Sequence, residues 1–307
     1  MGGAHHHRHG HEHGHDHAHS HAPTSFGRAF LIGIVLNSAF VVTEASYGIL
    51  SGSMALVADA GHNLSDVLAL LLAWGASVAA TRPARPHYTY GYKSSTILAA
   101  LANAGLLMVA IGAILFETVR RMFDPPAVEG TTMVVVASIG IAINTFTALL
   151  FLRGRHHDLN IRGAFLHMAA DALVSAGVVV AGLAILWTGE RWIDPVTSLF
   201  IVTVIAWGTW GLTRDSVRLG LNGVPQGVDE QAVQVYLAGQ PGVEAVHDLH
   251  IWPMSTTETA LTAHVLMPGG HPGDAFLDEI SRELGRQFSI GHVTLQIVRE
   301  RGCGTGC

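Results

Sequence analysis

Long apolar stretches separated by short polar connections dominate the chain from residue 29 to residue 212. Each stretch is close to the roughly 20 residues that an α-helix needs to cross the hydrocarbon of a bilayer. They cover residues 29–50, 54–80, 96–119, 131–152, 163–187 and 196–212. The pattern predicts six membrane-spanning helices, and an even number of spans places both termini on one side of the membrane.

After about residue 218 the apolar runs become too short to span a membrane. The periodicity predicts helices at 228–238 and 272–288 and strands at 243–252, 259–267 and 292–298. The order helix, strand, strand, helix, strand in about 80 residues predicts a small α+β domain.

Composition supports a membrane protein with an unusual first segment. The chain is 49% hydrophobic and only 13% charged, whereas a soluble domain is typically about a quarter charged. The net charge is −6, and no basic block indicates a nucleic acid partner. Of 20 histidines, ten lie between His5 and His21. We expect residues 1–26 to form a disordered His-rich tail that collects metal, with an expression tag as the alternative.

Basic residues fall mainly on one set of connections. Nine of them lie at the span ends on the same side as the termini: Arg28, Arg82, Arg85, Lys93, Arg153, Arg155, Arg162, Arg214 and Arg218. Three lie at the span ends on the other side: Arg120, Arg121 and Arg191. The bias predicts that both termini are cytoplasmic.

Two of the apolar stretches carry the same spacing, His62-x-x-x-Asp66 and His167-x-x-x-Asp171. Residues four apart lie on one face of a helix, so each pair directs an imidazole and a carboxylate the same way. Two such helices that face each other offer two nitrogens and two oxygens, enough for a tetrahedral zinc site. Ionisable side chains at membrane depth usually mark an ion or proton pathway.

A polar network that only holds helices together is the alternative reading, but it explains the repeated spacing poorly. Mixed imidazole and carboxylate ligands favour zinc, with cadmium or cobalt as alternatives. No Gly-x-x-x-x-Gly-Lys-Ser/Thr loop for ATP occurs in the sequence, and the apolar stretches carry no His-Glu-x-x-His motif of an intramembrane zinc hydrolase. A membrane metal sensor that does not transport stays open.

Further polar residues lie on the same spans. Asp59 shares a stripe of its helix with His62 and Asp66, and Ser175 follows Asp171 by four residues. Asn37 and Glu44, seven residues apart on the first span, would line a cavity or stabilise helix packing.

Motifs of a known family recur in order along residues 28–300. They comprise Asn37, Glu44 and Gly48, the run GSMALVADAGHNLSD at 52–66, HMAAD at 167–171, Asp194-Pro195, the loop 86–93, and the segments 246–252 and 292–297. On these motifs the chain resembles a bacterial cation diffusion facilitator of the zinc-type branch.

The resemblance implies an all-α six-helix transmembrane domain at 27–217, followed by a ferredoxin-like α+β cytoplasmic domain at 218–300. It implies a homodimer in the inner membrane that exports Zn²⁺, with Cd²⁺ or Co²⁺ as alternatives, in exchange for protons. Such a protein is a secondary transporter that confers metal tolerance and not an enzyme. His62, Asp66, His167 and Asp171 would be the transport site.

The resemblance also implies a regulatory zinc site in the cytoplasmic domain, with His247 and His264 as ligands on adjacent strands. Gln296 stands where some members carry a third histidine. Cys303 and Cys307, in the tail 301–307, would add thiolates, or the tail carries incidental cysteines. Lys93 matches a basic residue that pairs across the dimer in some members, although the acidic partner expected shortly before Pro225 is missing.

Overall fold

The computed structural model describes residues 28–151 and 159–300. The predicted His-rich tail and the tail with Cys303 and Cys307 therefore lie outside the described residues. Six long helices follow one another in the first part of the chain: α1 Arg28–Ser51, α2 Met54–Ala80, α3 Ser95–Phe123, α4 Gly130–Phe151, α5 Leu159–Thr188 and α6 Ile193–Gly220.

Within the described ranges, the five helices α2 to α6 are long and apolar enough to cross a membrane. The predicted multi-pass architecture is confirmed. Two helices, α3 and α6, end later than the spans predicted for them. No helix breaker follows the predicted end of either span, so the helix continues. Thus α3 ends at Phe123, before the Pro-Pro pair at 125–126, and α6 ends at Gly220, just before Asn222 adopts a left-handed backbone with φ 57°.

Glycines let α4 and α5 approach each other closely. A Cβ atom added to Gly130 would lie 2.9 Å from the carbonyl oxygen of Gly182, and one added to Gly182 would lie 2.8 Å from Val134 Cγ2. Small residues at such crossings are the usual means by which membrane helices pack. The close packing sets the position of α5 and so of its His-x-x-x-Asp pair.

Large apolar side chains cover the outside of the bundle. Trp187 is 90% exposed and Trp207 is 86% exposed in the single chain. An apolar exterior of this kind is stable in lipid, where no hydrophobic penalty applies.

A buried carboxylate of α6 holds the first turn of α2. Asp194 accepts hydrogen bonds from Ser53 Oγ at 2.6 Å and from the backbone N–H groups of Met54 and Ala55 at 2.8 and 3.2 Å. Ser53 Oγ in turn accepts a bond from the N–H of Leu56. Helix N-termini leave several N–H groups without partners and favour a negative charge. Asp194 meets both needs and fixes α2 along its axis.

The second part of the chain is a small α+β domain, as predicted. Its elements are α7 Glu230–Ala238, β1 Ala245–Pro253, β2 Thr259–Leu266, α8 Asp274–Phe288 and β3 Ile290–Val298. The sheet has β2 in the centre, antiparallel to β1 and parallel to β3. Both helices pack on the sheet through a core that includes Leu237, Leu261 and Leu284.

The turn between β1 and β2 lies against the beginning of α3. Lys93 forms an ion pair with Glu258, the hydroxyl of Ser94 donates to the Met254 carbonyl at 3.3 Å, and Thr256 N–H donates to Thr96 Oγ1 at 3.0 Å. Lys93 therefore has an acidic partner in its own chain, 165 residues further along the sequence.

We predict that Asp194→Ala lowers the free energy of unfolding by at least about 2 kcal/mol, because the change leaves Ser53 and two buried N–H groups without their acceptor. Thermal unfolding of the purified protein in detergent measures the effect. Asp215→Ala is the matched control, since Asp215 lies on the same helix but is only partly buried and accepts a hydrogen bond from the side chain of Gln226; we expect a change within about 0.5 kcal/mol. Equal stability of the two variants would contradict the role of Asp194.

Candidate metal centre

The structure brings the four side chains of the two His-x-x-x-Asp pairs together between α2 and α5. His62 Nε2 lies 3.7 Å from Asp66 Oδ2 and 3.6 Å from Asp171 Oδ1. His167 Nε2 lies 3.1 Å from Asp66 Oδ2 and 3.6 Å from Asp171 Oδ2. Each imidazole thus faces both carboxylates, one on its own helix and one on the other.

The nitrogen–oxygen separations are close to those around one tetrahedral ion, although Asp171 faces His62 through Oδ1 and His167 through Oδ2. With metal–ligand bonds of about 2.1 Å, neighbouring ligand atoms of a tetrahedron lie about 3.4 Å apart. The four nitrogen–oxygen distances bracket that value. Candidate ligand atoms of His62, Asp66 and His167 all lie within 4.8 Å of one another. The arrangement can bind a divalent cation with little movement of the side chains.

The centre is more accessible on one side than on the other. Asp66 and His167 side chains are each 34% exposed, His62 is 20% exposed and Asp171 is 3% exposed. Asp66 lies one turn nearer the end of α2, and His167 lies one turn nearer the beginning of α5. In an up-and-down bundle, the end of α2 and the beginning of α5 lie on the same side. The end of α6, which continues into the α+β domain, lies on that side too. The centre therefore opens towards that end.

A second layer of polar side chains lies on the less accessible side. Asn63 Nδ2 donates to Glu44 Oε2 at 3.2 Å, and Ser175 Oγ donates to Asp59 Oδ2 at 3.0 Å. Glu44, Asp59 and Ser175 are 0% exposed. Of these residues, Glu44 was expected to line a cavity or to stabilise helix packing, and it is buried between the helices together with Asp59 and Ser175.

Asn144 is a buried polar residue that the sequence patterns did not single out. Asn144 on α4 is 0% exposed, and neither polar atom of its side chain has a hydrogen-bond partner among the described residues. It lies in a helix that has no charged side chain and no other amide side chain. The only indication in the sequence is therefore a single Asn within an apolar stretch.

The two histidines expected in the cytoplasmic domain are neighbours in the sheet. His247 on β1 pairs with His264 on β2, and their ring centroids lie 5.4 Å apart. Asp248 was not singled out from sequence. It has a left-handed backbone, φ 54°, at a β-bulge, and its carboxylate lies 3.7 Å from His264 Nε2 and 2.9 Å from His250 Nε2. His264 pairs with Gln296 on its other side.

Comparison with known proteins gives matches over almost the whole chain. The family model for the cation efflux transmembrane domain matches residues 30–219, and that for the cation efflux protein cytoplasmic domain matches residues 225–299. The metal cation efflux system protein CzcD of Cupriavidus metallidurans is 37% identical over 297 residues, which cover 96% of this chain and 90% of the relative.

Two further relatives are similar over most of their length. A cadmium, cobalt and zinc/H(+)-K(+) antiporter of Bacillus subtilis is 32% identical over 278 residues, 89% of either chain. The zinc transporter ZitB of Escherichia coli is 35% identical over 282 residues, 91% of this chain and 90% of the relative. A solved metal-bound C-terminal domain of the CzcD transporter is 36% identical and covers 23% of this chain and 99% of that domain, with a TM-score of 0.21.

We predict that Asp171→Asn weakens Zn²⁺ binding at this centre by more than about 100-fold, because losing a direct ligand costs more than the 10–100-fold typical of outer hydrogen-bond partners. Equilibrium dialysis with protein that lacks residues 1–26 in every variant measures the loss. His87→Ala, a change at an exposed loop histidine, should bind as tightly as the unchanged protein. Undiminished binding by Asp171→Asn would exclude this ligand set.

Proposed function

The chain belongs to the cation efflux family of transporters, and we propose that it exports Zn²⁺ from the cytoplasm in exchange for protons, with Cd²⁺ and Co²⁺ as alternative cargo. The observation that carries the proposal is the set of two imidazoles and two carboxylates at tetrahedral spacing inside the helical bundle. Export of Zn²⁺ would confer metal tolerance.

The choice of Zn²⁺ follows from the ligand types. Imidazole nitrogen suits zinc and its neighbours among the transition metals, whereas magnesium and calcium prefer sites made only of oxygen. The names of the relatives support this choice: one is a zinc transporter and another is a cadmium, cobalt and zinc antiporter.

Exchange for protons follows from the chemistry of the same ligands. A metal ion binds neutral imidazole and ionised carboxylate, so metal binding releases protons and protonation expels the metal. A free imidazole has a pKa near 6.5, which makes this competition effective around neutral pH. One site exposed alternately on the two sides of the membrane would then exchange metal for protons.

The direction of export rests on the orientation of the bundle. The bias of basic residues towards one set of connections favours cytoplasmic termini in a bacterial inner membrane. The more accessible side of the centre then faces the cytoplasm, so the conformation described is ready to load metal from within the cell. The functional unit would be a homodimer, joined in part through the α+β domain.

A second metal site in the cytoplasmic domain is favoured by the geometry of the bulge in β1. His247 and His264 lie side by side, and the bulge turns the Asp248 carboxylate towards His264. Two nitrogens and one oxygen form a partial zinc site, which Cys303 and Cys307 would complete. Zn²⁺ bound there would act as a regulatory ligand.

Zinc uptake by proteoliposomes tests the transport proposal. With an imposed pH gradient, a zinc-sensitive dye inside the vesicles should report uptake by the unchanged protein and by His87→Ala, and none above background by Asp171→Ala. Zinc binding that needs no gradient and survives Asp171→Ala would instead indicate a sensor that binds through its cytoplasmic ligands.

The affinity of the centre for Zn²⁺ should fall as the pH falls. Because both imidazoles must be neutral, lowering the pH from 7.5 to 5.5 should weaken binding by more than about tenfold. Dialysis at several pH values, with residues 1–26 removed, measures the slope. An affinity that stays constant over this range would contradict competition between protons and metal.

A further inference from the structure

Two buried carboxyl groups, Glu44 on α1 and Asp59 on α2, lie within hydrogen-bonding reach of each other. Each has one oxygen that accepts from a neutral donor, Asn63 for Glu44 and Ser175 for Asp59. The other two oxygens, Glu44 Oε1 and Asp59 Oδ1, have no donor among the described residues. Among the ion pairs of the described chain, none involves either carboxyl, so no cation neutralises them.

A hydrogen bond between two carboxyl groups requires a proton between them. Two ionised carboxylates in contact repel each other, and burial away from water strengthens that repulsion, so such pairs hold one proton in common. The unpartnered oxygens of Glu44 and Asp59 are the two atoms between which this proton can lie. The pair then carries a single negative charge.

The pair lies close to the metal centre but is separate from it. Asp59 precedes His62 by three residues, about 4.5 Å along the helix axis, in the direction of the turn between α1 and α2. No hydrogen bond or ion pair joins either carboxyl to His62 or Asp171, although both of these charges act on the pair through space.

Neutral groups complete the surroundings of the pair. From α5 the hydroxyl of Ser175 reaches Asp59, and from α2 the amide of Asn63 reaches Glu44. Helix α4, which packs against α1 and α5, carries no titratable side chain between Gly130 and Phe151. Outside the pair itself, the charges that act on it are those of Asp171 on α5 and His62 on α2.

We propose that the Glu44–Asp59 pair is a proton-binding site of the exchange, which releases its shared proton when a divalent cation binds at the neighbouring centre. This inference rests on the proposed exchange of metal for protons. The two positive charges of the ion favour the doubly ionised pair. The O–H bond breaks, its electrons stay on the carboxylate, and the proton passes to water. When the metal leaves, the pair takes up a proton again.

Proton release during zinc binding tests the inference. ZnCl₂ is added to the purified full chain in weakly buffered detergent solution with a pH-indicator dye. The double variant Glu44→Gln/Asp59→Asn should release about one proton fewer per zinc bound than the unchanged protein. Asp215→Asn is the matched control, because it removes a carboxyl that lies outside both the pair and the metal centre, and its count should be unchanged. An equal count for the double variant and the unchanged protein overturns the inference.

Infrared difference spectroscopy gives a test that needs no variant to fold. Adding zinc to the unchanged protein should remove a carbonyl band of a protonated carboxylic acid, and the absence of that loss overturns the inference. The two proposals fail in distinguishable ways. If the unchanged protein shows no uptake driven by a pH gradient, the exchange itself is wrong. Suppose instead that uptake is intact, that the double variant releases as many protons as the unchanged protein, and that zinc removes no carbonyl band. Then only the inference fails.

Discussion

Each charged group that the helical bundle buries must find its partner on another helix, and the rest of the structure depends on this constraint. Lipid offers no hydrogen bonds, so an unpaired charge or N–H group in the bundle costs several kcal/mol. Asp194 of α6 therefore holds the first turn of α2, and Asp171 of α5 faces His62 of α2. The polar residues that carry the function are the same contacts that fix the helices relative to one another.

This dependence places the metal centre in a polar column that runs along α2. The N-terminal cap at Asp194, the carboxyl pair at Asp59 and the ligands at His62 and Asp66 follow one another along the helix. The column changes from closely buried at the cap to partly accessible at Asp66. A movement of α2 against α5 that opens one end of the column would close the other, because the candidate ligands are divided between these two helices. The proposed alternating access would need only such a movement.

Sequence patterns predicted most of the fold and singled out the four side chains that meet at the candidate metal centre, because helical spacing makes residues four apart share a face. The patterns could not show that α2 and α5 face each other, since that depends on the close approach of α4 and α5 at Gly130 and Gly182. The role of Asp194 in capping a helix 140 residues away was equally hidden. Asp248 reaches His264 only because a bulge interrupts the alternation of β1, and Lys93 meets Glu258 through the docking of two domains.

The contact between the β1–β2 turn and the beginning of α3 joins the two domains through a few residues of each. Lys93, Ser94 and Thr96 on one side meet Met254, Thr256 and Glu258 on the other. Two of these contacts use backbone groups of the turn, so they depend on its shape as well as on its side chains. The cytoplasmic domain is therefore not freely interchangeable with that of a relative: a chimera would need to carry the loop before α3 and the turn from the same parent.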